Sequence, residues 1–134
     1  MADEQWMEAI PHLDQSVQAA PHYSFSYVAR GICLQQLARS DQAREDFAEA
    51  VRRNPDNPAA RRGYGAALAQ EGLQAEAEEQ YRAAIGLNAL DDRARLGMAG
   101  VLDRRGRRRE ADHQRTLVAQ IRSGRTQGRG IGLD

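Results

Sequence analysis

Laid out at a period of 34 residues, the chain falls into register with itself, and this self-similarity constrains its fold more than any other property of the sequence. With residues 24–57 set above 58–91, Gly31 stands over Gly65, Leu34 over Leu68, Ala43 over Ala77, Phe47 over Tyr81 and Ala50 over Ala84. Another step of 34 reaches Ala99, Leu102, Ala111, Arg115 and Val118, and a step backwards sets Ala9, Leu13 and Pro21 beneath Ala43, Phe47 and Pro55. A unit of this length cannot bury its apolar face alone, so successive units must stack into a solenoid.

The residues inside the unit are those of paired helices. Of the chain, 41 % is hydrophobic and only 5 % aromatic, with alanine and leucine dominant. Both lose little side-chain entropy in a helix. Ala43, Phe47, Ala50 and Val51 recur at helical spacing, with Ser40 placed to N-cap them. Asn54-Pro55-Asp56-Asn57-Pro58 ends one helix and starts the next, because the residue before a proline is driven from the α region. Gly72 and Gly106 mark tight turns within their units. The pattern predicts helices over 3–19, 24–38, 41–53, 58–71, 74–87, 92–105 and 107–122, with no strand. A Gly/Arg-rich stretch, 123–134, reads as a flexible tail.

The spacing resembles the tetratricopeptide repeat, whose 34-residue unit reads W-x₂-L-G-x₂-Y, then A-x₃-F, then Pro. The first full unit carries Tyr27, Gly31, Leu34, Ala43, Phe47, Ala50 and Pro55, with Arg30 where leucine is usual. The second carries Tyr64, Gly65, Leu68, Gly72, Ala77, Tyr81 and Ala84, with departures at Arg61 and Ala89. The third keeps Leu102, Gly106 and Ala111 but has Arg115 where a large apolar residue belongs. The resemblance implies an all-α, right-handed superhelical solenoid: units 24–57, 58–91 and 92–122 behind a leading helix, 3–19. It also implies a module that binds a peptide or protein segment on the concave face formed by the first helix of each unit. By register that face takes Phe25, Val28, Ile32, Gln35 and Gln36, then Arg62, Ala66 and Gln70, then Arg93, Leu96 and Arg104. Where one subclass clamps a carboxylate with Lys and Asn, this chain has Val28, Ile32, Gly63, Arg93 and Gly97, so that activity does not carry over.

Catalysis has little to stand on. His12, His22 and His113 fall on different layers of the repeat, and the lone Cys33 sits beside Ile32 and Leu34 as a packed thiol. The Gly-Arg-Gly-Ile-Gly run near the end lacks the strand and helix that give a phosphate loop its chemistry. The expectation is therefore a scaffold or adaptor, not an enzyme, with no cofactor and no metal. Two alternatives remain: a substrate-docking or regulatory part of a larger enzyme or complex, and an RNA-associated module.

Charge bears on the partner. Residues 1–92 hold fifteen Asp and Glu against eight Arg, a balance of −7; residues 93–134 hold eleven Arg against four acids, +7, and lysine is absent throughout. The run Arg104-Arg105-Gly106-Arg107-Arg108-Arg109 suits phosphate, but no aromatic residue lies in this third to stack on bases, so nucleic acid is the weaker reading. A groove with an apolar wall and arginines opposite it suits an amphipathic segment with an acidic end. No window is apolar enough to span a membrane, and the acidic start Met1-Ala2-Asp3-Glu4 is unlike a secretory signal, so cytoplasmic is the default expectation. The leading helix reads as the second half of a unit whose first half is missing. Trp6, Met7 and Ile10 would then lie open and offer a homodimer contact.

Overall fold

The computed structural model describes residues 2–131, which form seven helices with no strand among them. In order they are α1 (Ala2–Ala19), α2 (Ser24–Gln36), α3 (Ser40–Arg53), α4 (Pro58–Gln70), α5 (Gln74–Leu87), α6 (Asp92–Arg104) and α7 (Arg108–Ile131). The pairs α2–α3, α4–α5 and α6–α7 are the three repeat units. Each unit stacks on the next through its second helix, and α2, α4 and α6 touch in succession along one face.

The turns inside the three units share one geometry. Ala38, Gly72 and Gly106, spaced by 34, all have positive φ, at 59°, 84° and 77°. The next N–H reaches back in each case, from Arg39 to the Leu34 carbonyl (2.8 Å), from Leu73 to Leu68 (3.0 Å) and from Arg107 to Leu102 (2.8 Å). This is a Schellman closure, in which a left-handed residue lets the chain satisfy the last helix carbonyls. Gly72 and Gly106 adopt that conformation freely; Ala38 holds it against the crowding of its Cβ, which costs about 1 kcal/mol. Ala38→Gly is therefore expected to raise the melting temperature by a few degrees, and an unchanged or lower value would contradict this reading of the turn.

Between units, Asn57 and Asp91 cap the following helices. The Asn57 Oδ1 accepts from the N–H groups of Ala59 (3.1 Å) and Ala60 (3.4 Å), and the Asp91 Oδ1 from that of Ala94 (3.0 Å). Ser40 is not the cap expected of it: α3 begins at Ser40 itself, after Arg39, with no side-chain cap bond.

Large side chains on the second helices drive into small residues on the next unit. Phe47 is 1 % exposed, and a Cβ at Gly63 would stand 2.3 Å from its ring. One unit on, a Cβ at Gly97 would stand 2.3 Å from the ring of Tyr81. These two glycines, which register sets at the clamp positions of the carboxylate-binding subclass, instead receive the aromatics that join the units.

Both ends depart from expectation. On α1, Ile10 and Val17 pack against the first core cluster, built on Tyr27, Leu34 and Phe47, and Trp6 is partly buried; of the three residues expected to lie open, Met7 alone does. The outward side of α1 presents Gln5, His12 and Ser16 to solvent. At the other end, α7 does not stop near residue 122 but runs to Ile131, so most of the expected tail is helical, and residues 132–134 lie outside the described residues. In the earlier units Asn54 and Asn88 end the second helix; at the same register α7 continues through Arg122. Arg122 (3.1 Å) and Arg125 (3.2 Å) both reach Asp92, and Arg125 also donates to the Leu90 carbonyl (3.0 Å), tying the long helix to the start of α6. Arg115 pairs with Asp103 and Asp112, so a charged network occupies the place where Phe47 and Tyr81 would stack on a further unit.

Candidate protein-binding surface

Helices α2, α4 and α6 together wall a depression of about 390 Å³. Phe25 comes from α2, Pro58, Ala59 and Arg62 from α4, and Asp92 and Arg93 from the start of α6, with Leu90 and Asp91 just before it and Arg125 arriving from α7. Three residues expected of the concave face, Phe25, Arg62 and Arg93, are thus brought to one place. Farther along the same helices Ile32, Gln36, Gln70, Leu96 and Arg104 are exposed, while Gln35 and Ala66 are half-buried.

Val28 does not belong to this surface. It is 5 % exposed and joins the first core cluster with Ala60 and Ala67 of α4. Its register position faces the following unit. The equivalents on α4 and α6 are Arg62, which reaches over to Asp91 (2.7 Å), and Leu96, which is exposed, with no further unit stacked on α6 among the described residues. Sequence reasoning missed Leu90, Tyr23 and Arg125. Leu90 is 63 % exposed in a turn where the earlier unit has Asp56, and an apolar residue in a solvated turn was the available signal. Tyr23 lies against Phe25 with ring centres 5.4 Å apart and extends the same apolar edge.

Arginine carries the electrostatics, and most arginines are already engaged. Arg30, which breaks the repeat pattern, is held by Asp46 through two bonds of 2.8 Å and by Asp14 (3.0 Å). These carboxylates raise its pKa further above the ordinary arginine value, against the opposing effect of burial. Arg61, the second departure, donates to the Pro55 carbonyl (3.0 Å) and to Gln80 (3.1 Å), and Arg95 repeats both contacts on Ala89 (3.0 Å) and Gln114 (2.9 Å). In the arginine run, Arg105 and Arg107 converge at 2.7 Å on one buried carboxylate, Glu78, which Arg82 also grips at 2.6 Å. Arg93 and Arg104 on α6 have no ion pair among the described residues. Burial pushes the Tyr81 phenol up, while the positive field of Arg62 and Arg104 opposes it.

Burial likewise pushes the Cys33 thiol up, away from the thiolate that a nucleophile needs. His12, His22 and His113 are exposed and far apart in the sequence. Among the described residues no group of three or more His, Cys, Asp or Glu is placed to hold a metal, and no helix is long and apolar enough to cross a membrane.

The sequence profile of the tetratricopeptide repeat matches residues 28–92. No curated protein sequence matches the chain. Among solved structures the chain is similar to the crystal structure of MamA, with a TM-score of 0.80 at 18 % identity over 91 % of this chain and 71 % of that one. It is also similar to MamA 41-end from Desulfovibrio magneticus RS-1, with a TM-score of 0.78 at 15 % identity over 90 % and 68 %. At these identities the likeness is one of fold. The 34-residue register, the shared Schellman turns and the matched profile agree: residues 28–92 of this chain are tetratricopeptide repeats.

Proposed function

We propose that the chain is a non-catalytic interaction module that holds a segment of another protein along the face formed by α2, α4 and α6. The observation that carries this reading is the pairing on one face of uncovered apolar side chains, Phe25 and Ile32, with Arg93 and Arg104, which have no ion pair among the described residues. Apolar surface left open in the folded chain gains about 25 cal/mol per Å² when a partner covers it. Arginines without internal partners supply charge-assisted bonds to carboxylates. Ala66 and Gly100 keep the floor between them shallow, so a helix or an extended strand can lie close. A partner segment apolar on one side and acidic on the other fits these walls. A docking role inside a larger assembly would use the same surface and the same chemistry.

The test begins with the partner captured from source cells and identified by mass spectrometry. Ile32→Glu and Arg93→Glu are each expected to weaken its binding about tenfold, with the far-ultraviolet circular dichroism unchanged. Normal binding by both variants would overturn the reading and move the partner to another face.

A further inference from the structure

We propose that the depression between Phe25 and Arg93 receives one apolar side chain of the partner together with one adjacent carboxylate, and not a polyanion. This rests on the groove reading above and gives it a local chemistry.

The charge balance of the depression selects the occupant. Three guanidiniums reach it, but Arg62 is held by Asp91 at 2.7 Å, and Arg125 is held by Asp92 at 3.2 Å and by the Leu90 carbonyl at 3.0 Å. Of these three, Arg93 alone has no ion pair among the described residues. One free guanidinium matches one carboxylate, which it can grip with two parallel N–H···O bonds. A phosphodiester chain would set further negative charges against Asp91 and Asp92, a juxtaposition that costs affinity.

The apolar half is equally specific. Phe25 is 55 % exposed and Leu90 63 % exposed, and both line the depression together with Ala59 and Pro58. The Tyr23 ring beside Phe25 prolongs this edge. Two large apolar side chains this open, facing one hollow beside a single unengaged cation, form a pocket for an aliphatic or aromatic anchor flanked by Asp or Glu. A carboxylate from a chain terminus carries the same charge, so the proposal commits to a side-chain carboxylate and the probe is capped at both ends.

The test is a nuclear magnetic resonance titration of the ¹⁵N-labelled chain with three synthetic peptides and an oligonucleotide. The parent peptide is acetyl-Gly-Ser-Leu-Asp-Phe-Glu-Ser-Gly-amide. The second replaces its acids with Asn and Gln, the third replaces Leu and Phe with Ala, and the fourth probe is a single-stranded DNA dodecamer. The parent is expected to shift the amides of Phe25, Ala59 and Arg93, and both peptide changes are expected to weaken it. Arg93→Ala should weaken the parent roughly two- to fivefold and Phe25→Ala about tenfold. Both side chains are exposed, so neither variant is expected to unfold. Equal binding of the neutral peptide, stronger binding of the oligonucleotide, or indifference to Phe25→Ala would overturn the proposal. So would the absence of any shift up to about 1 mM peptide, the weak limit of a recognisable site. Shifts confined to Ile32, Gln36, Ala66 and Gln70 would dismiss the pocket while leaving the groove reading standing.

Discussion

Gly63→Ala is expected to destabilise the protein by about 2 kcal/mol, against the usual direction for a helix interior. Alanine normally gains about 1 kcal/mol over glycine within a helix, because glycine loses more backbone entropy. At Gly63, which lies inside α4, the new Cβ would come within 2.3 Å of Phe47 Cε1 and 2.4 Å of Cδ1. Phe47 is 1 % exposed and has nowhere to retreat, so α3 and α4 must separate. Overpacking of this kind costs typically 1–3 kcal/mol, about 3 here for backbone that has to move, and it outweighs the gain in propensity. Gly86 in α5 and Gly100 in α6 provide the control, since a Cβ at either meets nothing within 4 Å. Alanine there should stabilise by about 1 kcal/mol. Thermal melts of the three variants decide the matter; stabilisation by all three would mean that Phe47 does not enter α4.

The second large effect belongs to Glu78. Its side chain is 7 % exposed, yet three guanidiniums hold it: Arg82 from its own helix, Arg105 from the end of α6 and Arg107 from the turn before α7. This cluster joins the second unit to the third and explains why the arginine run lies where it does. Breaking a fully buried ion pair costs about 3–5 kcal/mol. The arginines here are 34–54 % exposed and can turn to water, so Glu78→Gln is expected to cost about 2 kcal/mol.

The same cluster makes stability depend on pH. Burial alone would raise the Glu78 carboxyl, but the hydrogen bonds from Arg82 and Arg107 outweigh it and hold the group below its ordinary value of 4.5. A depressed carboxyl contributes stability that is complete above the unfolded value and is lost as pH falls through the folded one. Denaturant melts of the wild type should therefore weaken progressively below about pH 4.5, and Glu78→Gln should weaken less over that range. Identical pH profiles for the two proteins would contradict the cluster.

The repeat and its helices were legible because small residues, aromatics and turn prolines recur at fixed offsets, and the limits of the helices before α7 follow from them. What escaped was mostly substitution in kind. Ala38 occupies the left-handed position that Gly72 and Gly106 announce, and nothing in an alanine signals positive φ. Arg30 and Arg61 looked like breaks in the pattern but trade places with apolar residues. At the positions of Tyr27, Arg61 and Arg95 the side chain donates to the carbonyl six residues back, from Tyr27 to Pro21 at 2.8 Å, so one contact is kept by different chemistry. Gly63 and Gly97 stand at clamp positions by register, which cannot tell a glycine facing a ligand from one facing a ring on the preceding unit. The depression draws on an apolar turn residue and on a helix that runs past its expected end, and neither follows from the repeat.

The central claim is that a protein partner lies along α2, α4 and α6, and site-specific photocrosslinking in source cells tests it most directly. A benzophenone amino acid would replace Gln70, exposed on α4 beside the groove, or Glu79, exposed on α5 outside it. The account predicts a partner adduct from position 70 that Ile32→Glu diminishes, and none from position 79. An adduct from position 79, with none from position 70, would contradict it.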